Sequence, residues 1–367
     1  ISRRHFLGFS AGAAGLAACA TQGGDNPLAD TRPAYAGSAT FEHGVASGDP
    51  MSDRVILWTR VTPANKENTA PIPVSLLVAR DPDMTDIVSQ ALTEAAPARD
   101  FTVKVDADGL QPETVYYYQF AAATRSGTIT SPVARTKTAA ASGKPPLKFA
   151  VVSCSNLPFG YFNVYDAVAK QTDLDAVIHL GDYIYEYGVD GYGGQVGQQI
   201  GRNHEPPMEI VTLGDYRMRH DQYKRDPMLQ AAHAVAPWLC TWDDHESTNN
   251  SYRTGAENHQ PETEGNWTDR KQAAVQAYLE WMPVRDPEAG RALGGIYRTF
   301  SFGDTATIFC LESRLTGRSD EISWGAELGG VAPDAVPAKA QEVMARINDE
   351  SRTMLGRIQE SWLTEEL

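Results

Sequence analysis

"LDAVIHLGDYIYEYG" (Leu174–Gly188) begins as a buried strand and ends in a crowd of tyrosines and acids. The apolar run up to Leu180 reads as a strand covered on both faces, and Gly181-Asp182 marks its exit into a loop. Two other runs have the same form. "LKFAVVSC" (Leu147–Cys154) ends in a thiol, and "APWLCTWDDHE" (Ala236–Glu246) ends in three acids and a histidine. Between them lie helical patterns, "YFNVYDAVAKQ" and "TLGDYRMRHDQYKRD", the second opening with Thr212 and, three residues on, Asp215, a variant of the capping box. Apolar strands joined by helices predict an α/β domain with a largely parallel sheet covered on both faces.

The texture before this region is different. From 41 to 140 the chain runs through "RVILWTRV", "PIPVSLLVA", "FTVKVD" and "VYYYQFAAA", separated by turn signals. "GLQPETVYYYQF" has the strand entry and paired tyrosines of an Ig- or fibronectin-III-like β-sandwich. Residues 141–146 read as a linker, and 147–367 as the second domain. "IYRTFSFGDTATIFCLESR" predicts a hairpin turning at Gly303-Asp304. The final stretch, Pro337–Leu367, is helical with no closing strand, so the second domain is expected to be incomplete at its C-terminus.

The first twenty residues read as an address. "SRRHFLG" (Ser2–Gly8) is a twin-arginine pattern, and the small apolar run after it is far short of the roughly 20 residues a membrane span needs. "LAAC" (Leu16–Cys19) offers a lipobox that would lipidate Cys19, and "ACA" (Ala18–Ala20) an ordinary cleavage site. Residues 21–40 then read as a flexible tether. A periplasmic or secreted protein is expected, or a lipoprotein anchored through Cys19, with the twin-arginine export machinery as a partner.

A chain of 367 residues is expected to make two domains. Net charge is −15, and losing Arg3 and Arg4 would make it −17; so acidic a body is a poor match for nucleic acid. Beyond Cys19 there are three cysteines, an odd number that argues against a disulfide framework. Cys240 and Cys310 sit inside apolar runs and read as small buried hydrophobes. Cys154 stands at a strand end.

Ligand sites of parallel α/β sheets form beyond the carboxyl ends of the strands. Adjacent strands lie about 5 Å apart, so Cys154, Asp182 and the Asp243-Asp244-His245-Glu246 run could converge on one or two cations. A thiolate and a phenolate from Tyr185 favour a Lewis-acidic ion such as Fe(III), while carboxylates favour Ca²⁺ or Mn²⁺. His179, inside the strand, reads as a core histidine, and "SGDP" (Ser47–Pro50) as a loop turn. Asp243 and Glu246 are open between structural and site roles. The 212–226 helix reads as a solvated face, with Arg217 or Arg219 placed to reach a phosphate.

"GDYIY" matches the GDxxY motif of purple-acid-phosphatase-like metallophosphoesterases. With "GVASGDP…VILWTRV" before it, and "LGDYRMRHDQYKRD" and "WDDHE" after, the ordered set resembles the PhoD family of alkaline phosphatases from Phe41 onward. The resemblance implies an Ig-like domain followed by a metallophosphoesterase domain holding iron and calcium. It implies hydrolysis of phosphate mono- and diesters by metal-hydroxide attack, with phospholipids among the conceivable substrates. Cys154, Asp182 and Tyr185 become iron ligands, Asp182 also bridging to calcium. Asp244 falls where the superfamily's GN[HD]E-type motif places a metal-binding Asn, and His245 where that motif's His contacts phosphate. Glu312-Ser313-Arg314 departs from the family's Asp-Thr-Arg. The alternatives are a phospholipase-D-like phosphodiesterase and a secreted binding protein with a silent catalytic half.

Overall fold

The computed structural model describes residues 30–287, 291, 292 and 294–367. The twin-arginine segment, Cys19 and the start of the expected tether lie outside the described residues. The rest of that tether is not free. Arg32 donates to the carbonyls of Thr93 and Val74, and Tyr35 is buried with its amide on Ala123.

One six-stranded sheet runs through both halves of the chain. Its order is Phe149–Val152, Ala176–His179, Trp238–Cys240, Val45–Gly48, Val55–Arg60 and Thr102–Ala107. The first three strands are parallel; Val45–Gly48 joins them in parallel through Trp238 and Gly48, and the last two pair antiparallel. Gly48 is what lets the halves meet. A Cβ there would lie 2.1 Å from the Pro283 carbonyl and 2.8 Å from that of Trp238. Asp49, the acid of "SGDP", follows with a fully buried side chain. It accepts from Arg298 Nη2 at 2.6 Å and Nε at 2.9 Å, and from the Arg285 amide at 2.7 Å. The motif does turn a loop, as expected, and the loop is a seam between domains.

A second sheet, ordered Ala134–Lys137, Val115–Thr124, Ile72–Ala79, Ile87–Ala95, with Gly127–Thr130 on its flank, completes the N-terminal β-domain. Alternation along Ile72–Ala79 and Val115–Thr124 sends Val74, Leu76, Tyr118 and Phe120 inward against Val55, Leu57 and Val103. The expected linker is tied down as well. Gly143 exchanges hydrogen bonds with Asp304 at the hairpin turn, and Thr305 Oγ1 donates to the Pro145 carbonyl. That hairpin pairs Arg298–Phe302 with Ala306–Cys310.

Both faces of the parallel strands are covered, as expected. Helices Asn163–Ala169, Leu213–Lys224, Pro227–His233 and Trp267–Trp281 bury one face, centred on Val177 and Trp238. The other face is covered by the hairpin, whose Phe300 and Phe302 pack on Ala176, Leu239 and Phe149. Among the described residues Phe149–Val152 stands at the edge of this sheet, and Val151 is 60% exposed. The Thr212–Asp215 capping box forms as predicted, and Cys240 and Cys310 are free and buried.

Under the helical face Lys224 is buried, its ammonium 3.2 Å from His233 Nε2 and over the rings of Trp58 and Tyr183. Burial pulls its pKa down to about 7. The unfolded amine titrates near 10.4. Below pH 7, folding must therefore bury a charge, and stability from this group rises as pH climbs from about 7 toward 10. Lys224→Met is expected to raise stability by about 2 kcal/mol at pH 6, with the gain shrinking above pH 9. Urea unfolding at both pH values measures this; an equal gain at both would assign the effect to packing alone.

Candidate metal centre

The carboxyl ends of Phe149–Val152 and Ala176–His179 turn sharply, and the turns carry the candidate ligands. Cys154 and Asp182 both adopt the left-handed region, at φ 58° and 56°, after Gly181 at φ 111°. Non-glycine residues hold such angles at a cost, and cross-bonding maintains them. The Cys154 amide donates to the Gly181 carbonyl at 3.1 Å and the Ser155 amide to that of Asp182 at 2.7 Å. Gly181 cannot be larger: a Cβ would lie 2.3 Å from the Asp243 amide nitrogen.

These turns bring Cys154, Asp182 and Tyr185 together. Cys154 Sγ lies 3.5 Å and Tyr185 Oη 3.3 Å from Asp182 Oδ2. Asp182, Asp244 and His245 also place one donor atom each within 4.8 Å of one another. Asp182 thus belongs both to a thiol–phenol group and to an acid–imidazole group. Glu246 fastens the loops, accepting from the amides of Asp182 at 3.0 Å, Tyr183 at 2.6 Å and Asp243 at 2.8 Å. Glu246 is a buried strut rather than a ligand.

The protonation pattern matches a donor set built around positive charge. Burial pushes Asp182 up, and the Asp244 and Asp243 charges push it further, while His245 draws it back. Burial and the Asp182 charge hold the Tyr185 phenol far above its ordinary range. Burial also raises the Cys154 thiol, with Asp182 adding to it. The Asp182 charge opposes ionisation of both the Cys154 thiol and the Tyr185 phenol, and a cation among them would relieve both, so thiol, carboxylate and phenol fit a metal.

His245 is held by a residue the sequence reading left unassigned. Its Nδ1 lies 2.7 Å from Glu186 Oε2, and Glu186 is buried and also accepts from Thr248, Asn249 and Asn258. Burial draws the ring down, but the Glu186 bond and charge outweigh it and push its pKa up to about 9. With Nδ1 engaged, Nε2 is the nitrogen left for a ligand, and the ring stacks on Tyr185 at 4.3 Å. The signal for Glu186 was its position in "GDYIYEYG", four residues past Asp182. Glu186→Gln is expected to bring His245 down by about one pKa unit or more toward the ordinary imidazole range, read by NMR titration of the metal-free protein, because the bond and charge that hold its proton are lost.

Arg314 is the second unassigned residue. It donates from Nε to Asp243 at 2.6 Å, with Nη2 3.7 Å from Asp244. Glu312 accepts from the amides of Arg314, Leu315 and Thr316, and so shapes the loop that carries it. Asp243 is thereby an ion-pair partner of that loop. The arginines of the 212–226 helix do not reach the centre. Arg217 pairs with Glu280, and Arg219 is buried, donating to the carbonyls of Tyr185, Glu205 and Pro206. His179 is a core histidine bonded to Tyr165 and Ser155; burial lowers it to about 3. Tyr183 turns inward to His233, leaving Tyr185 as the phenol at the centre.

The family profile described as PhoD-like phosphatase matches residues 149–367, and that of its N-terminal domain matches residues 27–140. Alkaline phosphatase D of Bacillus subtilis (strain 168) is 40% identical over 333 residues, covering 89% of this chain and 53% of that protein. The chain thus spans about half the length of this curated relative. The solved structure of PhoD superposes with a TM-score of 0.74 at 38% identity, covering 90% of this chain and 60% of that one. A purple acid phosphatase from yellow lupin seeds aligns at a TM-score of 0.46 and 12% identity, over 86% of this chain and 50% of that one, too loosely to carry weight.

Proposed function

This chain belongs to the PhoD-like phosphatase family, and from that premise we propose that it hydrolyses phosphate mono- and diesters at a centre built on Cys154, Asp182, Tyr185, Asp244 and His245. The observation that carries the reading is the gathering of the Cys154 thiol and Tyr185 phenol around one oxygen of Asp182. A thiolate and a phenolate suit a ferric ion, and the side facing Asp244 suits a harder cation, Ca²⁺ or Mn²⁺. When bound, such ions supply Lewis acidity that offsets the charge developing on phosphorus.

The protein's own groups do the rest. Asp182 and Asp244 fix the spacing of the two sides. His245, cationic through its bond to Glu186, presents Nε2 as a donor to a phosphoryl oxygen, in the position where such a donor lowers the barrier. Arg314 balances Asp243 and keeps that carboxylate from adding negative charge where an anion must enter.

Export through the twin-arginine route belongs to the same reading; it rests on residues 2–20 of the sequence, and fractionation of producing cells would check it.

The test is metal analysis of the purified chain, with assay of nitrophenyl phosphate and its bis-diester before and after chelation. Bound iron, with activity lost on chelation and restored by iron with calcium, is the expected result. Hydrolysis that survives complete metal removal would overturn the proposal.

A further inference from the structure

We infer that Tyr187, Tyr192 and Phe159 form a leaving-group subsite that favours esters of planar, aromatic alcohols. The inference rests on the phosphate-ester reading above and adds a substrate preference to it.

A chain of rings leads outward from His245. Tyr187 lies 5.5 Å from the imidazole, Tyr192 5.9 Å from Tyr187, and Phe159 4.8 Å from Tyr192. Single exposed aromatics are ordinary on a protein surface, but a connected series ending on a site residue is not. Tyr192 is 59% exposed and Phe159 47% exposed. Their contacts are edge-to-face, at interplanar angles of 63° and 65°, and the exposed part of each ring offers area on which a flat group can pack.

The arrangement is built rather than incidental. Tyr192 sits in "GYGG" (Gly191–Gly194), and the glycines on either side of it make room for the other two rings. A Cβ on Gly191 would lie 2.8 Å from Tyr187 Cβ. One on Gly193, where φ is +87°, would lie 3.0 Å from the Phe159 ring. Asn156 Nδ2 donates to the Tyr192 carbonyl at 3.4 Å, tying this loop to the one that follows Cys154. Phe159 therefore hangs from the Cys154 loop and Tyr187 from the Asp182 loop, so the subsite is fixed relative to the centre. An ester whose phosphate meets His245 Nε2 has its alcohol portion beside these rings.

The test compares phenylphosphonate with methylphosphonate, two unreactive ligands, by calorimetry on the metal-loaded protein. The expected phenyl preference is about tenfold. Tyr192→Ala should reduce it by about threefold to fivefold, and Tyr192→Phe should preserve it. In turnover the same loss should enter KM for phenyl phosphate rather than kcat. Tyr192 is mostly in solvent, so its replacement does not put folding at stake; Phe159→Ala provides an independent second variant. Methylphosphonate binding with no phenyl preference, or a preference that survives Tyr192→Ala, overturns the subsite alone. Failure to bind either ligand overturns the phosphate-ester reading, and the subsite with it.

Discussion

Asp182→Ala is expected to lower phosphate-ester hydrolysis by on the order of a thousandfold or more and to remove bound metal. One oxygen of this carboxylate meets both the Cys154 thiol and the Tyr185 phenol, so no neighbour can replace it. The loss should not come through unfolding. Burial and the acids around it raise the folded-state pKa of Asp182 above its unfolded value. At neutral pH its ionised form therefore costs the metal-free fold stability, a cost absent only when pH falls low enough to protonate it. The chelated variant should melt no lower than the chelated parent. A variant that kept its bound metal and roughly a tenth of its activity would show that the donors are held together by something other than Asp182.

Asp49→Ala is the second large effect, and it acts on stability. The substitution would leave the Arg298 guanidinium, 15% exposed, without its only carboxylate among the described residues, and would free the Arg285 amide. Removing one partner of a buried pair costs about 3–5 kcal/mol, because the remaining charge stays desolvated. A drop of that size in urea-unfolding free energy is the expected measurement. A loss below about 1 kcal/mol would mean that water reaches Arg298 and that the pair behaves like a surface bridge.

The element types were legible because their patterns are local. The apolar runs, the capping box at Thr212 and the hairpin turn at Gly303 each announce themselves within a few residues. The three strand ends pointed to Cys154, Asp182, Tyr185, Asp244 and His245 because parallel sheets place ligand groups at one rim. What was not legible depended on contacts between distant segments. Nothing local marks the pairing of Val45–Gly48 with Trp238–Cys240, since a strand buried on both faces looks the same whichever neighbour it has. The edge position of Phe149–Val152 was hidden for the same reason. Arg219 looked like a phosphate reader because charge on a helix is usually solvated, yet it is spent on loop carbonyls. Glu186 escaped notice because its partner, His245, lies 59 residues away.

The single backbone pairing between Trp238 and Gly48 bears on how such a protein can be rearranged. Modular enzymes are often recombined by cutting between domains, which works when each piece keeps its own hydrogen-bonding complete. A cut near residue 143 would instead leave two open strand margins, one along Val45–Gly48 and one along Trp238–Cys240, each free to recruit a stranger. Neither half is expected to stay monodisperse alone, and an ancestral shuffling of the catalytic half onto a different partner would have had to supply a replacement strand.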